Sequence, residues 1–160
     1  MTALAATPSP HPHNLLRGNP GADEILTDVR AGVSDLSSTG CPVKLVSMTI
    51  GDVPEAALYV RNQARVAERA GIQFEERNFA ASISTEEITA AINACNTDPR
   101  VTGLILQRPI PDHFNMRTLQ TAIHPMKDVE GMHPASIGNI VYRDLSLGPG
   151  TAMASVELLR

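Results

Sequence analysis

Residues 51–63 read GDVPEAALYVRNQ, and within that stretch Tyr59 and Gln63 lie four positions apart. On a helix that spacing puts both on one face. A phenol with an amide one turn on makes a platform for a flat, polar heterocycle, and neither group trades protons readily at neutral pH. A core aromatic with its hydroxyl at the rim would show the same spacing. A second candidate is Gln107-Arg108-Pro109-Ile110-Pro111. Its two prolines pre-set φ, so the polar side chains point in defined directions at small ordering cost; a rigid loop without function fits the same residues. A third is the run from His124 to Pro134, with Lys127, Asp128, Glu130 and His133. It allows acid–base work or metal ligation, but its spacing matches no metal signature, and a solvated charged loop is the ordinary alternative. Finally, Gly148-Pro149-Gly150 before a helix imitates a dinucleotide fingerprint, which needs a preceding strand and an acidic residue about 20 positions on. The signal is void.

These candidates need elements to hold them. Ile25, Leu26, Val29, Val33 and Leu36 recur at helical spacing until Gly40 and Pro42 break the pattern. VKLVSMTI at 43–50 reads as a buried strand, and the quoted stretch then runs as a helix to Ala70, with Gly71 in the left-handed stop position. IQFEERNF at 72–79 alternates as a strand. Ser84 and Glu87 form a capping box ahead of the stripe Ile88, Ala91, Ile92 and Cys95. VTGLILQ at 101–107 is a third strand, 115–123 a short helix, and TAMASVELLR starts another. Strands alternating with helices predict an α/β fold in three layers, a small, mostly parallel sheet covered by helices. Ligands of such sheets sit beyond the carboxyl ends of the strands. Those ends are Thr49 to Asp52, Phe79 to Ala81 and Leu106 to Pro111.

The 160 residues suit one domain, with a core built from aliphatic residues, since 42% are hydrophobic and only 3% aromatic. The expected division is a flexible tail over 1–14 and a folded domain over 15–160. A net charge of −4 with interspersed signs gives no footprint for nucleic acid or anionic lipid. No stretch approaches the roughly 20 apolar residues that span a bilayer, and the N-terminus lacks a signal-peptide pattern, so a cytoplasmic location is expected. His11 and His13 have no third ligand nearby. Cys41 and Cys95 read as free, buried thiols.

Taken in order, GDVPEAALYVRNQ, NTDPRVTGLILQRPIPDH and IHPMKDVEGMHPASIGNI resemble the catalytic domain of the methylenetetrahydrofolate dehydrogenase/cyclohydrolases, from about residue 14 onward. The resemblance implies a folate pocket in which the pterin lies between Tyr59 and the strand end at Gln107, with Glu130 on its amino-pyrimidine edge. It extends the folate-binding set to Gln63, Leu106, Arg108, Pro109 and Asp128. Gln63, Gln107 and Glu130 would carry whatever catalysis remains. No metal is implied.

Departures from the family pattern shape the expected function. The family's motif lysine falls at Gln63, its serine at Ala56, the second aspartate of its Asp-Val-Asp loop at Glu130, and the middle residue of its Gln-Leu-Pro at Arg108. A placed acid–base group is worth about 10²- to 10⁴-fold in rate, so efficient methenyl hydrolysis is not expected. The family's NADP-binding Rossmann domain has no counterpart in these residues, so neither NAD(P) nor dehydrogenation is expected of this chain by itself. The leading expectation is a protein that binds 5,10-methylenetetrahydrofolate and delivers its one-carbon unit non-oxidatively to a nucleophilic co-substrate. The alternatives are a non-catalytic folate-binding subunit, or a truncated or diverged dehydrogenase/cyclohydrolase. A homodimer is expected because a cleft missing one wall would otherwise expose apolar surface.

Overall fold

The computed structural model describes residues 17–159, so the tail expected over 1–14 lies outside the described residues. Helices and strands alternate as α1 (Gly18–Ser38), β1 (Lys44–Ile50), α2 (Pro54–Ala70), β2 (Gln73–Phe79), α3 (Thr85–Thr97), β3 (Gly103–Leu106), α4 (Met116–Ala122), α5 (Pro134–Val141) and α6 (Gly150–Leu158), with a 3₁₀ turn over Pro125–Lys127. The sheet order is β2-β1-β3 and both pairings are parallel. The expected α/β class is therefore found.

Central position explains the sequence of β1: flanked on both edges and covered on both faces, it is buried continuously from Val46 to Ile50. One face carries Val46, Met48 and Ile50 with Leu104 and Leu106 of β3, packed against Ile88, Ile92 and Cys95 of α3 and Leu119 of α4. Each such side chain contributes roughly 1.5–3 kcal/mol on full burial. The other face carries polar groups. There Ser47 lies opposite Glu76 of β2 and Ile105 of β3, and α2 covers it with the small buried residues Ala56, Val60, Ala67 and Ala70. Strand β2, at the edge, alternates in burial and carries charge: Glu75 pairs with both Arg77 and Lys44. Charges of this kind protect an edge from further pairing.

The local stop and start signals act as read. Gly71 takes φ +80° after α2, and Ser84 caps α3 with its hydroxyl accepting from Glu87 N while the Glu87 carboxylate accepts from Ser84 N. Three features differ from the sequence reading. Cys41 is exposed, not buried, because the Gly40-Cys41-Pro42 turn leaves the surface before β1 begins; Cys95 is buried as expected. The helical stripe of α1 buries only Val33, and Ile25, Leu26 and Val29 line an apolar groove against Val66 of α2 and Leu45 of β1. The run 124–134, for which a solvated charged loop is the ordinary alternative, contains a 3₁₀ turn and the first residue of α5. Pro125 and Pro134 mark their first positions, where a missing N–H costs nothing. His124 and His133 are the caps, each ring Nδ1 accepting from a backbone N–H, of Met126 at 3.2 Å and of Ala135 at 3.0 Å.

Candidate functional site

At the carboxyl end of β3 a cavity of about 390 Å³ opens between α2, the loop after β3, the 129–132 segment and the start of α6. The face of α2 contributes Tyr59 and Gln63, the strand end Ile105, Leu106, Gln107 and Arg108, the loop Val129, Glu130 and Met132, and the first turn of α6 Pro149, Gly150 and Thr151. Tyr59 is 58% exposed, which disposes of the core-aromatic reading, and it lines both this cavity and the apolar groove beside α1.

A buried hydrogen-bond chain sets the floor. Gln107 Nε2 donates to Ser47 Oγ at 2.9 Å and to Gln63 Oε1 at 2.7 Å. Both of its N–H groups are thereby spent, so Gln107 offers its carbonyl oxygen as acceptor. Gln63, having accepted through oxygen, keeps its own amide N–H groups as donors. Glu130 is half-buried, and desolvation pushes its carboxyl above the usual carboxylate range, opposed by the nearby positive charge of Arg108. The cavity thus offers a phenol face, a neutral donor, a neutral acceptor, a carboxylate and a guanidinium. Among the described residues lining it there is neither lysine nor histidine.

Several sequence candidates fall elsewhere. Asp128, named as folate-binding, does not line the cavity: it is 2% exposed, its Oδ2 accepts from His133 N and Ser136 Oγ, both at 2.8 Å, and a backbone bridge joins it to Leu104. It anchors the loop that carries Glu130. Pro109 is exposed and outside the lining, joined to Arg108 by a cis peptide bond. Asp52 borders a separate depression with Thr49, Glu76 and Asn78. Lys127 caps the end of α3, its Nζ donating to the carbonyls of Cys95 at 2.6 Å and Asp98 at 2.7 Å. Both histidines and Lys127 are thus engaged by backbone groups, and of that run's ionisable side chains Glu130 is the one that lines the cavity.

The wall formed by Pro149 to Thr151 is absent from the sequence candidates, because the glycines there imitate a nucleotide fingerprint. A signal was present. Gly131 takes φ +65°, and a Cβ there would stand 2.4 Å from the carbonyl carbon of Gly148, so two glycines let the Glu130 loop and the start of α6 press together. This run follows α5 and not a strand, so it does not fit a dinucleotide.

Residues 16–130 match the family model described as "Tetrahydrofolate dehydrogenase/cyclohydrolase, catalytic domain". The chain is 54% identical over 151 residues to bifunctional protein FolD 2 of Mesorhizobium japonicum, covering 94% of this chain and 49% of that protein. It is 55% identical over 146 residues to bifunctional protein FolD 3 of Roseobacter denitrificans, covering 91% and 49% respectively. Among solved structures, the bifunctional FolD of Campylobacter jejuni superposes with a TM-score of 0.87 at 30% identity, over 91% of this chain and 52% of that one. A 5,10-methylenetetrahydrofolate dehydrogenase of the silkworm Bombyx mori superposes with a TM-score of 0.85 at 32% identity, over 91% and 50%. The chain spans about half the length of the curated relatives it matches. It belongs to the tetrahydrofolate dehydrogenase/cyclohydrolase family, through that family's catalytic domain.

Proposed function

We propose that the cavity binds 5,10-methylenetetrahydrofolate, and that this chain is the folate-binding part of a diverged dehydrogenase/cyclohydrolase. The observation that carries the reading is the Ser47–Gln107–Gln63 chain, which fixes two amides in the lining that also holds Tyr59 and Glu130. Tyr59 offers its ring face to the pterin, with Leu106 and Ile105 as apolar backing. Gln107 accepts through oxygen and Gln63 donates through nitrogen, a pattern suited to a lactam edge. Glu130, when ionised, accepts from the amino-pyrimidine N–H groups.

The pair at 63 and 107 also bounds the chemistry. A neutral amide holds a carbonyl or a water by hydrogen bonding but neither takes nor gives a proton, so hydrolysis of a methenyl group proceeds without a placed base at position 63. Glu130 remains as the lining group able to hold a proton. Non-oxidative delivery of the one-carbon unit to a nucleophilic co-substrate draws no support from the comparisons, where the solved relatives are described as dehydrogenases and cyclohydrolases. A diverged member of that family is therefore the better supported reading. A homodimer stays an expectation, to be checked by sedimentation.

Calorimetric titration with 5,10-methylenetetrahydrofolate tests the binding. Wild type is expected to show saturable heat, and Tyr59→Ala to weaken binding by roughly tenfold, the scale of one lost aromatic stacking contact. Saturable binding that Tyr59→Ala and Glu130→Gln both leave unaltered would move the ligand out of this cavity and refute the proposal.

A further inference from the structure

We propose that Arg108, held by Gln120, forms a carboxylate subsite at the mouth of the cavity and takes the glutamate carboxylate of the folate. The inference rests on the folate reading above and adds the part of the ligand that the pterin contacts leave unaddressed.

Gln120 of α4 is only 6% exposed, and its Oε1 accepts from Arg108 Nη2 at 3.4 Å while its Nε2 has no hydrogen-bond partner. A guanidinium has donors alone, so the amide oxygen must face it, and the amide nitrogen is turned into a buried place without an acceptor. An unpaired buried donor is costly. The contact is long, and it biases the exposed guanidinium toward α4 at the rim of the cavity.

The tie uses one edge of the guanidinium, and its remaining N–H groups stay available. Among the described residues no ion pair engages Arg108, although Glu130 lines the same cavity. Its charge nevertheless reaches inward, since it opposes the burial that raises the Glu130 carboxyl. The lining therefore has an acid for the electron-poor edge of a heterocycle and a cation at the exposed rim, where the strand leaves the sheet. A ligand with a polar ring at one end and a carboxylate at the other matches that order. Arginine meets a carboxylate with paired N–H groups, a geometry that lysine lacks.

Calorimetry of wild type, Arg108→Leu and Arg108→Lys with tetrahydrofolate and with the tetrahydropteroyl amide, in which a neutral benzamide replaces the glutamate and leaves no carboxylate, tests the subsite. Wild type is expected to prefer tetrahydrofolate by about tenfold, Arg108→Leu to lose that preference, and Arg108→Lys to retain part of it. Thermal melts of each variant confirm that it is folded. Equal binding of both ligands by wild type, or a parallel loss of both in Arg108→Leu, overturns the subsite and leaves the pterin assignment standing. Failure of wild type to bind either ligand overturns both. In a further arm, free glutamate is titrated into the complex with the tetrahydropteroyl amide. Arg108-dependent saturation there, without any preference between the two folates, assigns the carboxylate to a separate ligand and overturns the tail assignment.

Discussion

Replacing Gln63 by lysine tests whether the amide at that position limits water chemistry. The structure gives the rearrangement. Gln107 Nε2 now spans Ser47 Oγ at 2.9 Å and Gln63 Oε1 at 2.7 Å. An ammonium at position 63 cannot accept, so Gln107 must turn its oxygen toward the new charge and keep its nitrogen on Ser47. One charge-assisted hydrogen bond replaces one neutral bond, and no buried group is orphaned. The net cost to the fold is small, on the order of 1 kcal/mol either way. Against that stands the gain of a group able to exchange a proton beside Glu130, expected to raise the hydrolysis rate of 5,10-methenyltetrahydrofolate by about 10²- to 10⁴-fold. The loss of methenyl absorbance with time is the assay, run on wild type, Gln63→Lys and Gln63→Met. Gln63→Met removes the donor without adding a proton carrier, so it should bind folate more weakly and show no gain in rate. A folded, folate-binding Gln63→Lys no faster than wild type would refute the reasoning, as would wild-type turnover already at an ordinary enzymatic rate.

The remaining expectations concern the acid, the loop and a cap. Glu130 has a folded-state pKa raised by desolvation, so the folded state binds its proton more tightly than the unfolded chain does; that contribution is present below the ordinary value of 4.5 and is lost as pH rises through the folded pKa. Glu130→Gln should therefore melt higher than wild type near neutrality, with the difference shrinking toward pH 4 in a melting series. Folate affinity should run the other way, falling in wild type as acidification protonates Glu130, and titrations at several pH values check it. Gly131→Ala must place a Cβ 2.4 Å from the Gly148 carbonyl carbon at φ +65°, so it should shift the first turn of α6 and weaken folate binding, with a strain of roughly 1–2 kcal/mol visible in thermal unfolding. Ser84→Ala removes the hydroxyl acceptor at the start of α3, 3.2 Å from Glu87 N, and should cost about 1 kcal/mol in denaturant unfolding without altering folate affinity.

What the sequence discloses follows from how local each determinant is. The alternation of strands and helices, the Gly71 stop and the Ser84 cap depend on residues within a few positions of one another, and each is found where it is read. Tyr59 and Gln63 are legible for the same reason, since a helix turn brings them together. The role of Asp128 is not, because a carboxylate looks alike whether it faces a ligand or holds a backbone. Only the fold shows that its partners are His133 N and Ser136 Oγ. The histidines mislead in a related way: each stands just before a proline that opens a helical turn, and its ring accepts from the backbone two residues on. The α6 wall was illegible because Gly131 and Gly148 explain each other only once they are in contact.

The same contrast bears on which departures from the family pattern change chemistry and which only change a contact. Ala56, where the family has serine, is buried on the inner side of α2 with Val60 and Ala67, and a residue so placed acts on how the helix seats against the sheet. Gln63 is on that helix too, but its amide reaches the strand end, where the polar face of the sheet meets the cavity. Arg108 stands at the rim, tied to α4 and free of ion pairs among the described residues. On the proposed function and subsite, two substitutions at the cavity act on separate quantities: position 63 on proton transfer at the one-carbon unit, and position 108 on recognition of a carboxylate farther out. A Gln63→Lys, Arg108→Leu double variant should then show the rate gain of the first and the lost folate preference of the second, the two effects adding as energies apart from a modest coupling carried by Glu130, which lines the cavity with both. Strong coupling between them would mean that Arg108 acts on the reacting centre after all.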